Sequence, residues 1–369
     1  MRICGVIASL GAGGAERVMT ELCAAWATRG DDVTLLTLDD GRHDFYAVPT
    51  GVHRRALDLA SRSRTANDAL RANVLRARVM RAALRAARPD VVVSFTDRTN
   101  VLTLLAARGL SVPVVVSERI DPRHHDIGRA WSLLRRLTYP SASALVVQTE
   151  AVRRWADDIV SPARVAVIPN PLRPIAGPTT AAGARDHIVV ALGRLVPQKG
   201  FDVLIRAFAM LASEFPSWQL RILGEGPERS ALQSLVDTLG LVERVTMPGR
   251  TADPDRALGA AAVFALPSRY EGFPNALLEA MSQGCACVAT RCDSGPSDLL
   301  ADDAAGCLVP VGDVLHLAET MAMLMEDGAL RTRLGGEAQR AATRFAPAVV
   351  LSAWDAVLST VRTSSRMAA

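Results

Sequence analysis

Six times between residues 187 and 309 a short apolar run is followed by a stretch of helical periodicity. The runs lie at 187–192, 219–223, 244–247, 263–266, 286–290 and 306–309. Strands this short, apolar on both faces and separated by helices, fit a parallel sheet covered on both sides. The first half repeats the pattern less cleanly. Strands are expected at 2–10, 32–38, 90–94, 112–117, 144–148 and 165–168, with helices at 16–29, about 65–87, from Thr99, and at 131–139. Residues 169–185 hold four prolines, two glycines and few large apolar side chains, the composition of a connection between domains. The expected organisation is α/β, with two Rossmann-like doubly wound domains at 1–170 and 186–346 and a linker at 171–185. A final helix, at 347–362 within the closing segment 347–369, follows completion of the second sheet.

A chain of 369 residues is long enough for two such domains, each with its own core. Apolar residues at 49% and charged residues at 22% are globular proportions. The longest apolar run, 257–267, contains Gly259 and ends in proline, so no membrane span is expected. Six cysteines without paired C-x2-C spacing read as buried thiols in a reducing compartment, not as zinc ligands. All 42 basic residues except Lys199 are arginine. The net charge of +4 hides a basic first half (+7 over residues 1–170) and an acidic remainder (−3).

Lys199 stands in the loop Gly193-Arg194-Leu195-Val196-Pro197-Gln198-Lys199-Gly200, between the first strand and first helix of the second repeat. That is a place for cations that meet phosphate. A second loop, Pro267-Ser268-Arg269-Tyr270-Glu271-Gly272-Phe273-Pro274, leads from a strand into the helix that begins Asn275-Ala276-Leu277-Leu278-Glu279. Pro274 is expected at its first position, leaving the N–H groups of Asn275, Ala276 and Leu277 facing an anion. Glu271 outside that end and Glu279 inside it can each accept two hydroxyls. The spacing suits a ligand with phosphate in the middle and a polyol at each side, which is the layout of a sugar nucleotide. Near the N-terminus, Gly11-Ala12-Gly13-Gly14 follows the first strand. Glu16 occupies the place of the third glycine of a dinucleotide fingerprint, which disfavours a dehydrogenase.

The stretch 267–281 resembles the Glu-x7-Glu motif of the retaining glycosyltransferases of family 4, and Gly193-Arg194 to Lys199 resembles that family's G-R-x5-K loop. The resemblance implies the GT-B arrangement, with two Rossmann-like domains across a cleft and the last helix crossing back to brace the first domain. It implies that Arg194 and Lys199 bind the donor diphosphate and that Glu271 contacts the donor sugar, these three being the catalytic residues. Glu279 would meet the ribose, and Phe273, Pro274, Asn275, Ala276 and Leu277 would line the donor. Gly13 and Gly14 match a loop that approaches the diphosphate or sugar. The base would be read at 224–226 and at Met247 to Arg250, with Met247 and Gly249 among the contacts, and UDP is preferred to GDP. Many members carry a histidine after the fifth strand. Here Ser117-Glu118-Arg119-Ile120-Asp121 stands instead, so Glu118 and Arg119 become candidates for the acceptor, and His124 and His125 are read as surface residues.

Asp253-Pro254-Asp255 spells D-x-D, but Asp253 as a helix cap with proline at the next position explains it, and no metal or other cofactor is expected. Arg71, Arg78, Arg81 and Arg85 fall within an arc of roughly 80° on one helix. Arg129, Arg135 and Arg136 accompany Trp131, Leu134 and Leu137 on another. Both suit an anionic membrane or a polyprenyl-diphosphate-linked acceptor, and an Arg-lined helix is equally a solvated face. The resulting expectation is a cytoplasmic, peripheral enzyme moving a hexose or N-acetylhexosamine from a nucleotide sugar to a lipid-linked or growing bacterial glycan. No nucleic-acid partner is expected. A UDP-sugar 2-epimerase-like isomerase and a non-catalytic sugar-nucleotide-binding module are the competing classes.

Overall fold

A computed structural model describes residues 1–59, 65–173, 185–300 and 305–368. The chain divides into two compact units, Met1–Pro171 with Ala348–Ala369, and Leu172–Pro347. Of the linker expected at 171–185, residues 174–184 lie outside the described residues.

The first unit is built on seven parallel strands: β1 (Arg2–Ile7), β2 (Asp32–Thr37), β3 (Val52–Ala56), β4 (Val91–Phe95), β5 (Val114–Ser117), β6 (Ala144–Val147) and β7 (Val165–Val167). Their order is β3-β2-β1-β4-β5-β6-β7. Strands β4, β5 and β6 are buried along their whole length because helices cover both faces. Helix α1 (Gly14–Thr28) packs Val18, Leu22 and Trp26 into one of these faces. Helices α2 (Ala66–Ala87), α3 (Asp97–Ala107) and α5 (Glu150–Asp157) contribute to the opposite cluster, and α4 (Arg129–Thr138) packs Trp131 and Leu134 against it. The last helix, Pro347–Ala368, belongs with α1: Val350, Trp354, Leu358 and Val361 recur on one stripe in that core. The Trp354 and Phe95 rings are 5.7 Å apart.

Two elements of this unit escape the sequence pattern. Strand β3, Val-His-Arg-Arg-Ala, shows no apolar alternation because it is an edge strand held by pairing with β2 and by Arg54, which donates to Thr37 and Asp39. Helix α5 is the other, capped by Thr149, whose hydroxyl accepts from the Val152 N–H.

The second unit contains β8 (Asp186–Leu192), β9 (Gln219–Leu223), β10 (Val245–Gly249), β11 (Ala261–Leu266), β12 (Ala286–Thr290) and β13 (Cys307–Val309), all parallel, in the order β10-β9-β8-β11-β12-β13. Around the sheet lie α6 (Phe201–Leu211), α7 (Arg229–Thr238), α8 (Pro254–Ala260), α9 (Asn275–Ser282), α10 (Pro296–Leu300), α11 (Val314–Glu326) and α12 (Gly328–Ala342). In both sheets the first strand lies between two neighbours from which the order runs outward in opposite directions. That is the switch point at which open α/β sheets hold ligands beyond the carboxyl ends of their strands.

All six cysteines are free thiols and five are buried. Residues 328–364 taken together are long and apolar enough to cross a membrane. They form two helices, because Ala346 takes non-helical angles before Pro347 and the second helix buries Trp354 and Leu358 in the first unit.

Candidate functional site

The two motif loops of the second unit meet at its switch point. The loop after β8 closes with a short 3-10 turn, Pro197–Lys199, and Gly200 follows at φ 64°. A Cβ there would fall 2.1 Å from the Pro267 carbonyl oxygen, so only glycine lets this loop lie against the one after β11. The Arg269 N–H donates to the Gln198 carbonyl at 2.8 Å, and Gln198 Nε2 donates to the Tyr270 carbonyl at 2.9 Å. These bonds bring Lys199 to Glu271. Lys199 Nζ donates to Glu271 Oε1 at 2.6 Å, and the Ser268 hydroxyl donates to the same oxygen at 2.6 Å. The side chains of Lys199 and Glu271 are 15% and 6% exposed. From behind, the Ser294 hydroxyl donates to the Glu271 carbonyl at 2.6 Å. Arg194 is exposed on the same loop, with no ion pair among the described residues.

Helix α9 departs from the expected detail. Pro274 is the N-cap, not the first helical residue, and its carbonyl accepts from the Leu277 N–H at 3.0 Å. Of the three N–H groups expected to face an anion, that of Leu277 is therefore engaged. The side chains of Phe273 and Leu277 are core, not lining: Phe273 meets Phe345 edge-on at 5.7 Å, and Leu277 is fully buried. Asn275 and Ala276 are half-buried at the helix start. Glu279 lies one turn inside, its side chain 12% exposed.

At the neighbouring strand ends the loop at 224–226 packs against 193–195; a Cβ on Gly224 would sit 1.8 Å from the Gly193 carbonyl oxygen. The carbonyl of Met247 accepts from Arg229 at 2.9 Å, and that of Gly249 from the Gly224 N–H at 2.8 Å. The D-x-D carboxylates are engaged as well. Asp253 caps α8 by accepting from the Arg256 N–H at 3.0 Å, and Asp255 pairs with Arg173 at 2.5 Å.

In the first unit, Gly13 is the N-cap of α1 and Gly14 its first residue. The Glu16 carboxylate folds back over Gly13, within 2.1 Å of where a Cβ would stand. An anion approaching Gly13 and Gly14 has to move it. The expected acceptor contact of Glu118 needs correction. Its side chain is buried at the end of β5, accepting from the Tyr139 hydroxyl at 2.6 Å with Arg135 at 3.5 Å. Burial pushes its carboxyl up to about 7, against the opposing pull of Arg135 and Tyr139. Arg119 stacks on the Phe95 ring at 4.3 Å and donates to Ser117 and Asn170, with no carboxylate partner among the described residues. Burial brings its guanidinium down to about 9, helped by the charge of Arg17.

Two residues at the strand ends had no sequence signal. Thr96, after β4, holds φ 73° and ψ 146°, a strained conformation for a β-branched residue. Asp97, next to it and mostly buried, lies 3.3 Å from His125, whose side chain is 44% exposed, a surface residue as expected.

The arginine ridge is three residues, not four. Arg71, Arg78 and Arg85 are exposed on α2, but Arg81 turns inward to donate to the Ala106 and Arg108 carbonyls at the end of α3. Leu70, Val74 and Leu75 are exposed on α2 as well. On α4, Leu133 and Leu137 are exposed with Arg129 and Arg136, whereas Arg135 is buried over the Trp155 ring and Trp131 is half-buried.

Family models match both units of the chain. Residues 13–171 match the glycosyl transferase 4-like domain, and residues 179–341 match the glycosyl transferases group 1 model. This chain belongs to the GT-B glycosyltransferases. The glycosyltransferase is 26% identical over 98% of its length to a Campylobacter jejuni α-1,4-N-acetyl-D-galactosaminyltransferase acting on a diphospho-undecaprenol-linked glycan, and covers 99% of that protein. It is 34% identical over 279 residues to an exopolysaccharide phosphotransferase of Streptomyces coelicolor, spanning 75% of this chain and 29% of that longer one. Its fold matches that of Anabaena HepE in complex with UDP and glucose, at TM-score 0.80 and 21% identity, over 97% of this chain and 99% of the other.

Proposed function

We propose that this glycosyltransferase is a retaining, metal-independent enzyme of family 4 that moves a hexose or N-acetylhexosamine from a UDP-sugar to a lipid-linked or growing bacterial glycan. The observation that carries the reading is the meeting of Lys199 and Glu271 at the switch point of the second unit. Transfer breaks the bond between the anomeric carbon and a diphosphate oxygen, so negative charge grows on the leaving group. Lys199 and Arg194 supply preorganised cations at the loop where that charge would appear, a contribution of about 3 to 4 kcal/mol per donor in comparable sites. Glu271 accepts sugar hydroxyls, and Glu279 accepts those of the ribose. The two cations take over the role a metal ion would otherwise have, and Asp253 and Asp255 already have protein partners.

Retention and front-face displacement follow the resemblance to family 4. The UDP preference draws on the UDP held by HepE, and the acceptor class on the diphospho-undecaprenol substrate in the Campylobacter relative's name. The first unit would bind the acceptor, and the exposed leucines and arginines of α2 and α4 would rest on an anionic membrane at its cytoplasmic face. The test is thermal melting with a panel of nucleotide sugars in EDTA, since a bound donor raises Tm. A UDP-sugar should raise it. A rise with GDP-sugars alone would replace the donor, and no rise with any nucleotide sugar would overturn the reading.

A further inference from the structure

The second unit begins with Leu172, whose N–H donates to the Phe345 carbonyl at 2.7 Å. Phe345 in turn packs on Phe273 of the loop that carries Glu271. The entering chain is thereby pinned against the donor loop, and the next side chain, Arg173, is delivered between two carboxylates. Its Nη2 donates to Asp255 Oδ1 at 2.5 Å, and its Nε lies 3.8 Å from Glu279 Oε1. Arg173, Asp255 and Glu279 are 29%, 13% and 12% exposed. Asp255 comes from the first turn of α8 and Glu279 from α9, so one guanidinium bridges two helices.

We propose that Arg173 is the positioning residue for Glu279, holding its carboxylate oriented to accept the ribose hydroxyls of the donor nucleotide. This rests on the reading of Glu279 as the ribose contact. Three observations support it. Glu279 is mostly desolvated, and Arg173 places a cation 3.8 Å from its carboxylate, where the attraction is little screened by water. The distance of 3.8 Å is an ion-pair distance rather than a hydrogen bond, so Nε acts on Glu279 through its charge and occupies no hydrogen-bonding position of the carboxylate itself. The geometry requires a planar fork: the end of the guanidinium is anchored on Asp255 while Nε faces Glu279, and a lysine offers only one point of charge. Arg173 touches neither substrate nor reacting atoms in this assignment, and it acts through Glu279.

The experiment is calorimetric titration of the full chain with UDP and with 2′,3′-dideoxy-UDP. Wild type should prefer UDP at least tenfold. In Arg173→Ala the affinity for UDP should fall close to that for the dideoxy ligand, whose own affinity should change less than twofold, so the preference collapses. Arg173→Lys should recover only part of it, and Asp255→Asn, which loosens the anchor but keeps the shape, should lower it to an intermediate value. Thermal melting of each variant establishes that it is folded, and the milder Asp255→Asn carries the test should Arg173→Ala fail to fold. An unchanged preference in folded variants, or equal losses for both ligands, would overturn the positioning role. No preference in wild type would instead remove the ribose contact of Glu279 itself, and Arg173 with it.

Discussion

Replacing Lys199 with alanine should have two separable effects. The first is on stability. Lys199 and Glu271 form a 2.6 Å pair with side chains 15% and 6% exposed, so removing the ammonium leaves a nearly buried carboxylate without its counter-charge. Breaking a fully buried pair costs about 3 to 5 kcal/mol. Here the Ser268 hydroxyl still donates to the same oxygen at 2.6 Å and the lysine is partly solvated, which brings the expected loss to about 2 to 3 kcal/mol. For a unit of this size that is a drop in Tm of roughly 4 to 12 °C. The second effect is on turnover. Loss of a preorganised cation at the leaving group should lower kcat by about 10²- to 10³-fold. The double variant Lys199→Ala/Glu271→Gln separates the two, because removing both charges should restore most of the melting temperature while turnover stays low. Melting is followed by circular dichroism, and transfer by release of the nucleoside diphosphate. Near-normal kcat in folded Lys199→Ala would refute the leaving-group role. A Tm unchanged in the single variant would refute the strength assigned to the pair.

Turnover should survive EDTA; if chelation abolished it and Mg²⁺ or Mn²⁺ restored it, Asp253 and Asp255 would have to be released from their present partners to act as ligands. Sedimentation with anionic liposomes at low salt should be weakened by Arg71/Arg78/Arg85→Gln and by Leu133/Leu137→Ser and left almost intact by Arg81→Gln, since Arg81 caps α3; equal behaviour of all three would mean a solvated face. The carboxyl of Glu118, pushed up to about 7 from its ordinary 4.5, holds its proton more tightly in the folded protein. Its contribution to stability is therefore full below about pH 4.5 and lost as pH rises through about 7, a change of at most about 3 kcal/mol. Wild type should melt higher at pH 5.5 than at pH 8, and Glu118→Gln should flatten that slope; an unaltered slope would locate the titration elsewhere.

The second sheet was legible strand by strand because its four central strands are mostly apolar and a helix separates each of the six strands from the next. The edge strand β3 was not, because half-exposed Val-His-Arg-Arg-Ala owes its place to β2 and to the contacts of Arg54 rather than to its own periodicity. The motif loops were legible as loops, and the direct contact of Lys199 with Glu271 followed from folding them to one switch point. Spacing could not separate ligand-facing residues from core, so Phe273 and Leu277 read as lining although their side chains are buried. Charge alone could not distinguish Arg81, which caps a helix, from the exposed Arg78. Arg173 gave no signal because its partners are 82 and 106 positions away, at Asp255 and Glu279. Glu118 looked available on a loop, and only the packing of Tyr139 and Arg135 around it shows why it is not.

The central claim, that Glu271 at the Lys199 loop meets the sugar of a bound nucleotide sugar, is tested most directly by calorimetric titration of Glu271→Gln with UDP and with the UDP-sugar that stabilises wild type. The claim predicts that the variant binds UDP within about twofold of wild type and loses at least tenfold for the UDP-sugar, the range set by one hydrogen bond to a charged acceptor. Equal losses for the two ligands, or none for either, would contradict it.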